Sequence, residues 1–189
     1  MIIIIIGASG TGATYIRWGK TSCPNVTGTE LIYAGRAGGT YFNTRGGAAI
    51  KLCLPEDPDY LTETAGLSGQ SVIWGAEYQF SGNIHSGIHD YNVPCAVCYV
   101  STRISVLTIP AKSQCPVSWT REYYGYLTAE RDSHHRSSFE CVDSSPEVIP
   151  GSSSDVNGAL FYCTGGNCNG LACPPYESNR ILSCTVCTK

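Results

Sequence analysis

The sequence predicts an all-β fold made by tandem duplication. Turn chemistry recurs along the chain: Gly38-Gly39, Gly46-Gly47, Pro150-Gly151, Asn157-Gly158, Gly165-Gly166 and Pro174-Pro175. Between the turns lie short β-branched and aromatic runs, among them 30–33, 71–74, 105–109 and 158–162, the pattern of short strands rather than of helices. The third observation is internal repetition. Cys23-Pro24 is answered by Cys115-Pro116, Cys53 by Cys141, and Cys95-Ala-Val-Cys98 by Cys184-Thr-Val-Cys187, at offsets of 92, 88, 89 and 89 residues. A period this long marks two homologous subdomains rather than a solenoid unit.

The elements follow in order. Residues 1–12 form an amino-terminal tail, read as a collagen-tract remnant or an artefact. Its run Ile2 to Ile6 is far short of the roughly 20 residues of a membrane span. It also lacks the basic start of a signal peptide. Residues 13–103 form β subdomain repeat 1 and residues 104–189 repeat 2. No Pro/Ser/Gly linker separates them, and 97–106 reads as one continuous strand, so the subdomains are expected to dock. Residues 59–70 and 144–157 read as exposed, mobile loops.

Composition narrows the function. Charged residues make up 14% of the chain, the net charge is −3 and the pI is near 5.8. That balance argues against nucleic acid, which needs a basic face. No basic run exists to hold an anionic membrane. Eleven cysteines point to an oxidising compartment and a disulfide framework. Asn25-Val26-Thr27 is an acceptor sequon for N-linked sugar at Asn25. A secreted protein is expected.

Each repeat carries an early Cys-Pro, a middle Cys and a terminal Cys-x-x-Cys. If both cysteines of the terminal motif reach back, two pairings remain open in each repeat. The favoured one joins Cys23–Cys98 and Cys53–Cys95, and by repetition Cys115–Cys187 and Cys141–Cys184. Loops of that length give roughly 4 kcal/mol per bridge in the chain-entropy model. Cys163, Cys168 and Cys173 remain. Cys168–Cys173 is the favoured pair, which leaves Cys163 free or intermolecular. Zinc is disfavoured because 85 residues separate the two Cys-x-x-Cys motifs, against roughly 15–20 in zinc sites.

Other constellations are read as structural. His85, His89 and Asp90 have metal-ligand spacing only on a helix, and Gly82 and Gly87 argue for a surface loop. His134 and His135, among Arg131, Asp132 and Arg136, read as a solvated turn. Glu56, Asp57 and Asp59 read as an acidic turn without regular calcium-ligand spacing. Trp18, Trp74 and Trp119 are core or interface anchors before they are sugar platforms. No catalytic residue, cofactor or metal is assigned, and no enzyme activity is expected.

The segments 14–20, 31–40, 74–78, 89–98 and 173–176 resemble the short-chain, spongin-type collagen family. That family is in turn similar to the carboxy-terminal non-collagenous domain of type IV collagen, through 95–110, 115–119 and 124–126. The resemblance implies a β-rich module of two subdomains that trimerises and registers collagen-like chains in extracellular matrix. It implies the same four long-range bridges, and a small-loop bridge that repeat 1 lacks. Type IV domains also use a methionine–lysine crosslink; the only methionine here is Met1. The expectation is an extracellular structural protein, a homo-oligomer and in the family's image a trimer, with collagen-like or matrix partners. A secreted, lectin-like glycan- or ligand-binding protein without a collagen partner is the second expectation.

Overall fold

The computed structural model of the chain describes residues 12–62 and 69–189. They form ten β-strands: β1 (Ala13–Trp18), β2 (Thr29–Gly39), β3 (Leu52–Pro55), β4 (Trp74–Tyr78), β5 (Pro94–Val100), β6 (Val106–Pro110), β7 (Thr120–Ala129), β8 (Glu140–Asp143), β9 (Ala159–Cys163) and β10 (Ser183–Thr188). A single 3-10 turn, Ser86–Ile88, is the only helical piece among the described residues. The protein is all-β.

Five strands fall within residues 13–103 and five within 104–189, and the two sets pair alike. β5 lies between β1 and β2 as β10 lies between β6 and β7. β2 pairs with β3 and β4 as β7 pairs with β8 and β9. The registers match in detail: Ala37 faces Cys53 and Leu127 faces Cys141, while Gly35 faces Cys95 and Gly125 faces Cys184. β5 and β10 carry the Cys-x-x-Cys motifs and are each flanked on both edges. Their near-continuous burial explains a sequence of small and apolar residues with little polar alternation.

The halves are interleaved. β8 lies parallel to β1 through Trp18 and Val142, and β9 runs parallel to β4 through Ala76–Ala159, Glu77–Leu160 and Tyr78–Phe161. With the β7–β9 pairing, the ladders β7-β8-β1-β5-β2-β4-β9 close on themselves. Both apolar cores therefore draw on both halves. One gathers Trp18, Tyr78, Phe80 and Val93 with Val142, Ala159 and Phe161. The other gathers Tyr15, Ala96 and Val100 with Tyr123, Leu127 and Val186.

Three sequence expectations need correction. Residues 97–106 are not one strand: β5 ends at Val100 and β6 begins at Val106. Ser101, Thr102 and Arg103 in that break favour side-chain bonding to neighbouring polar groups over a ladder. The run 71–74 yields a strand only from Trp74 onward. The 144–157 segment is tied down rather than free. Glu147 N–H donates to the Gly19 carbonyl at 2.8 Å, the Tyr78 hydroxyl donates to the Glu147 carbonyl at 2.9 Å, and Ile149 N–H donates to Asn92. Of the 59–70 loop, residues 59–62 are exposed, and 63–68 lie outside the described residues. So do residues 1–11 of the expected tail.

Candidate functional site

Five disulfides frame the molecule: Cys23–Cys98, Cys53–Cys95, Cys115–Cys187, Cys141–Cys184 and Cys168–Cys173. In each half, two bridges anchor the central strand, one to the loop after the half's first strand and one to its third strand. The fifth closes a six-residue loop in the second half. Cys163, at the end of β9, is not disulfide-bonded. It lines a cavity of about 620 Å³ with Phe139 and Tyr162, and burial pushes its thiol up to about 12.

The seam between the halves is polar at several points and held by side-chain hydrogen bonds. Glu122 accepts from the Tyr15 hydroxyl (2.9 Å), the Thr29 hydroxyl (3.0 Å), Arg103 Nη2 (2.8 Å) and the Thr188 hydroxyl (2.6 Å). Arg17 Nε and Nη2 both reach Asp143 Oδ2, at 2.8 and 2.7 Å. Trp18 Nε1 donates to Glu140 Oε2 at 2.8 Å. Burial raises the pKa of Glu140, against the hydrogen bond from Ser138 and the charge of Lys51. In buried ion pairs of this kind desolvation offsets much of the attraction, so their presence alone adds little net stability. Sequence reasoning passed over these residues. The available signal was a charge set inside an aromatic strand, as in Thr120-Arg-Glu-Tyr-Tyr124.

The duplication is satisfied at this seam only once. The contact between β8 and β1 joins the third strand of the second half to the first strand of the first half. Its counterpart would join β3 to β6. Among the described residues β3 pairs only with β2, and β6 only with β10. Exposure follows the same division. Val142 in β8 is fully buried and Trp18 in β1 nearly so, while Leu52 in β3 is 42% exposed and Val106 and Leu107 in β6 are 37% and 40% exposed. Ile50 and Ile104, just before these edges, are more exposed still. Unpaired apolar edges template pairing with another strand.

The remaining residues singled out from sequence are dispersed. His85 Nε2 lies 3.2 Å from both the Ser144 carbonyl and the Tyr126 hydroxyl, and His89 Nδ1 lies 2.8 Å from the Phe80 carbonyl. Asp90 instead groups with Glu77 and Asp155, with one carboxylate oxygen from each within 4.8 Å of the others. Both Glu77 oxygens already accept backbone N–H groups, of Val156 at 2.9 Å and Asn157 at 3.2 Å. Burial still raises the Glu77 pKa. Glu77 thus braces the turn into β9, while Asp90 accepts from Gln79 Nε2 at 2.9 Å.

The expectation of a solvated turn at His134 is overturned. Its side chain is 11% exposed, packs 4.3 Å from the Phe42 ring centroid and 5.6 Å from that of Tyr162, and meets Glu130 Oε2 at 3.0 Å. Two of those partners come from distant sequence, which is why the local pattern misled. His135, Arg131, Asp132 and Arg136 are exposed. Asn25 is exposed in a turn, as its sequon requires. Trp18 is core and hydrogen-bonded, Trp74 is 40% exposed and Trp119 is half-buried. Glu56 pairs with Arg36 at the surface, and Asp57 and Asp59 are exposed beside it.

No protein-family model matches the chain. Among the described residues, no helix is long and apolar enough to cross a membrane. The five bridges fit a secreted, disulfide-rich protein.

Proposed function

We propose that the chain is an extracellular, non-enzymatic assembly module that trimerises and, as its resemblance to short-chain and type IV collagens implies, registers collagen-like chains in the matrix. The observation that carries this reading is the unequal fate of equivalent strands. β1 and β8 cover one another inside the chain, while β6 and β3, built to the same plan, keep exposed apolar edges. Each copy then offers its β3 edge to the β6 edge of the next. Such a head-to-tail contact is heterologous and closes into a ring when the rotation per copy allows. Three copies, the number the resemblance implies, would present six repeats around the ring. The bridges hold each edge rigid, so little ordering entropy opposes docking.

The native mass of the oxidised protein tests this directly. A particle of three chains is expected. Leu107→Lys in β6 and Leu52→Lys in β3, each charging one edge, should both give folded monomers. An equimolar mixture of the two variants should recover no more than dimers, since one intact β3 edge and one intact β6 edge meet only once. A wild-type monomer at micromolar concentration sinks the reading, as does a trimer untouched by both substitutions.

A further inference from the structure

A cavity of about 220 Å³ opens beneath the 40–50 loop, beside the start of β3. Its lining includes Tyr41, Phe42, Arg45, Lys51, Arg136 and Ser137. Lys51 is the unusual member. It is 4% exposed, yet its ammonium makes one hydrogen bond, to Ser137 Oγ at 2.7 Å, and stands 4.7 Å from the Phe161 ring centroid.

An ammonium carries three donors, so two of them find no acceptor among the described residues. No carboxylate among those residues lies within the 4.0 Å of an ion pair. Two acids lie nearby, and one of them, Glu130, lines the cavity itself; both are engaged by other donors. Glu130 accepts from Leu160 N–H at 2.7 Å and meets His134 at 3.0 Å, while Glu140 accepts from Trp18 and Ser138. A buried charge without a partner is costly. Burial accordingly pushes the Lys51 amine below its ordinary range, against the charges of Glu130 and Glu140. The fold thus keeps an under-partnered cation in the wall of a cavity, with two exposed guanidinium side chains, Arg45 and Arg136, at the same cavity.

We propose that this cavity binds one acidic sugar residue, with its sulfate or carboxylate held by Lys51, Arg45 and Arg136 and its ring against Tyr41 and Phe42. An oxyanion supplies the acceptors that Lys51 lacks, and guanidinium groups match its geometry. The size fits a sugar better than a bare anion. The volume is about seven times the ~30 Å³ share of one water, so a lone sulfate would leave most of it to solvent. The aromatic wall continues outward, with the Tyr41 ring centroid 4.6 Å from Phe42 and 5.0 Å from Trp74. Partly exposed Trp74 extends the surface toward a second sugar. The site borders the β3 edge through Ile50, but it does not rest on the assembly reading.

Amide chemical shifts of the oxidised protein, followed by NMR, test the site against four probes. N-acetylglucosamine 6-sulfate, glucuronic acid, neutral N-acetylglucosamine and inorganic sulfate are titrated in turn. Saturable shifts at the Ala48 and Ser137 amides are expected with at least one acidic sugar. The neutral sugar and inorganic sulfate should each bind at least about tenfold more weakly, the worth of a charge-assisted contact. Lys51→Met should weaken the acidic sugar about tenfold and Arg136→Gln about threefold, while Arg180→Gln, on a remote exposed arginine, should leave it unchanged. Arg136 is exposed, so its variant remains informative if Lys51→Met fails to fold. The proposal is overturned by an absence of saturable shifts with both acidic sugars. It is equally overturned by equal affinity for the neutral sugar or for inorganic sulfate, or by unchanged affinity in Arg136→Gln together with any folded Lys51→Met protein.

Discussion

Arg103 Nη2 donates to Glu122 Oε1 across 2.8 Å, and the Glu122 side chain has no exposed surface. The pair links the segment between the halves to the middle of the second-half sheet. Removing one partner strands a buried charge. Glu122→Ala should therefore cost about 3–5 kcal/mol of unfolding free energy, and Arg103→Ala a comparable amount. The double variant should cost clearly less than the sum, because neither charge is then left alone. Denaturant unfolding with the bridges intact measures all three. Simple additivity would show that the two residues do not couple.

Gly35 and Gly125 are equivalent in the duplication, and both sit where a neighbouring strand comes too close for a side chain. A Cβ at Gly35 would overlap the Leu54 carbonyl, and one at Gly125 the Val142 carbonyl. In both cases the obstacle is backbone, which cannot swing away. Each alanine substitution should destabilise by at least about 2 kcal/mol. Gly38→Ala, whose nearest obstacle is the flexible Leu54 side chain, should be milder. Thermal unfolding compares them, and a silent Gly125→Ala would contradict the register.

Glu77 and Glu140 give the stability a pH slope of unusual sign. Burial raises both pKa values in the folded chain. Between the ordinary glutamate value and the raised one, the folded state holds more protons than the unfolded state. The contribution of these two groups therefore falls as pH rises through that window and recovers on acidification. Glu147 is opposed: burial raises it, but hydrogen bonds from Thr21 and Lys20 and the Lys20 charge win and lower it, so its stabilising contribution is lost only at more acidic pH. Melting temperatures from about pH 7 to about pH 5 should show a more favourable acid trend for the native chain than for Glu77→Gln. Identical slopes in the two proteins would mean that Glu77 titrates normally.

Cys163 should be a poor nucleophile. With its thiol raised to about 12, little thiolate exists near neutral pH, and thiolate is the reacting species. Alkylation of the native protein should run at least about tenfold slower than that of an exposed thiol. In denaturant without reductant, a single thiol per chain should then react quickly. A dimer on non-reducing electrophoresis that vanishes in Cys163→Ser would reverse this expectation and make Cys163 an intermolecular link.

Much of the frame was legible because repetition and cysteine spacing are one-dimensional signals. The order of cysteines in 13–103 recurs in 104–189, and the strands that carry them recur with it. The seam was not legible. Trp18 meets Val142, and Phe42 meets His134, across more than ninety residues, and no local pattern encodes such a meeting. The same blindness made 144–157 look mobile, since its anchors, Gly19, Lys20 and Tyr78, belong to the other half. Lys51 was hidden differently. Lysine is rarely buried, but alternation sets Lys51 on the face of the bridged Cys53, and the second-half partners Ser137 and Phe161 complete its burial.

The placement of the half-cystines has a consequence for biosynthesis. In each half the two cysteines that complete the bridges lie on its last strand, β5 or β10. In a secreted chain the first half could oxidise once Cys98 is delivered, while its neighbours β8 and β9 are still in transit. Trp18 and Tyr78 would then wait, unshielded, for partners yet to arrive. Oxidoreductases and chaperones of the secretory route would meet a half-finished chain with correct bridges and bare aromatic surface, and premature encounter between two such chains at that stage would favour swapped partners over self-closure.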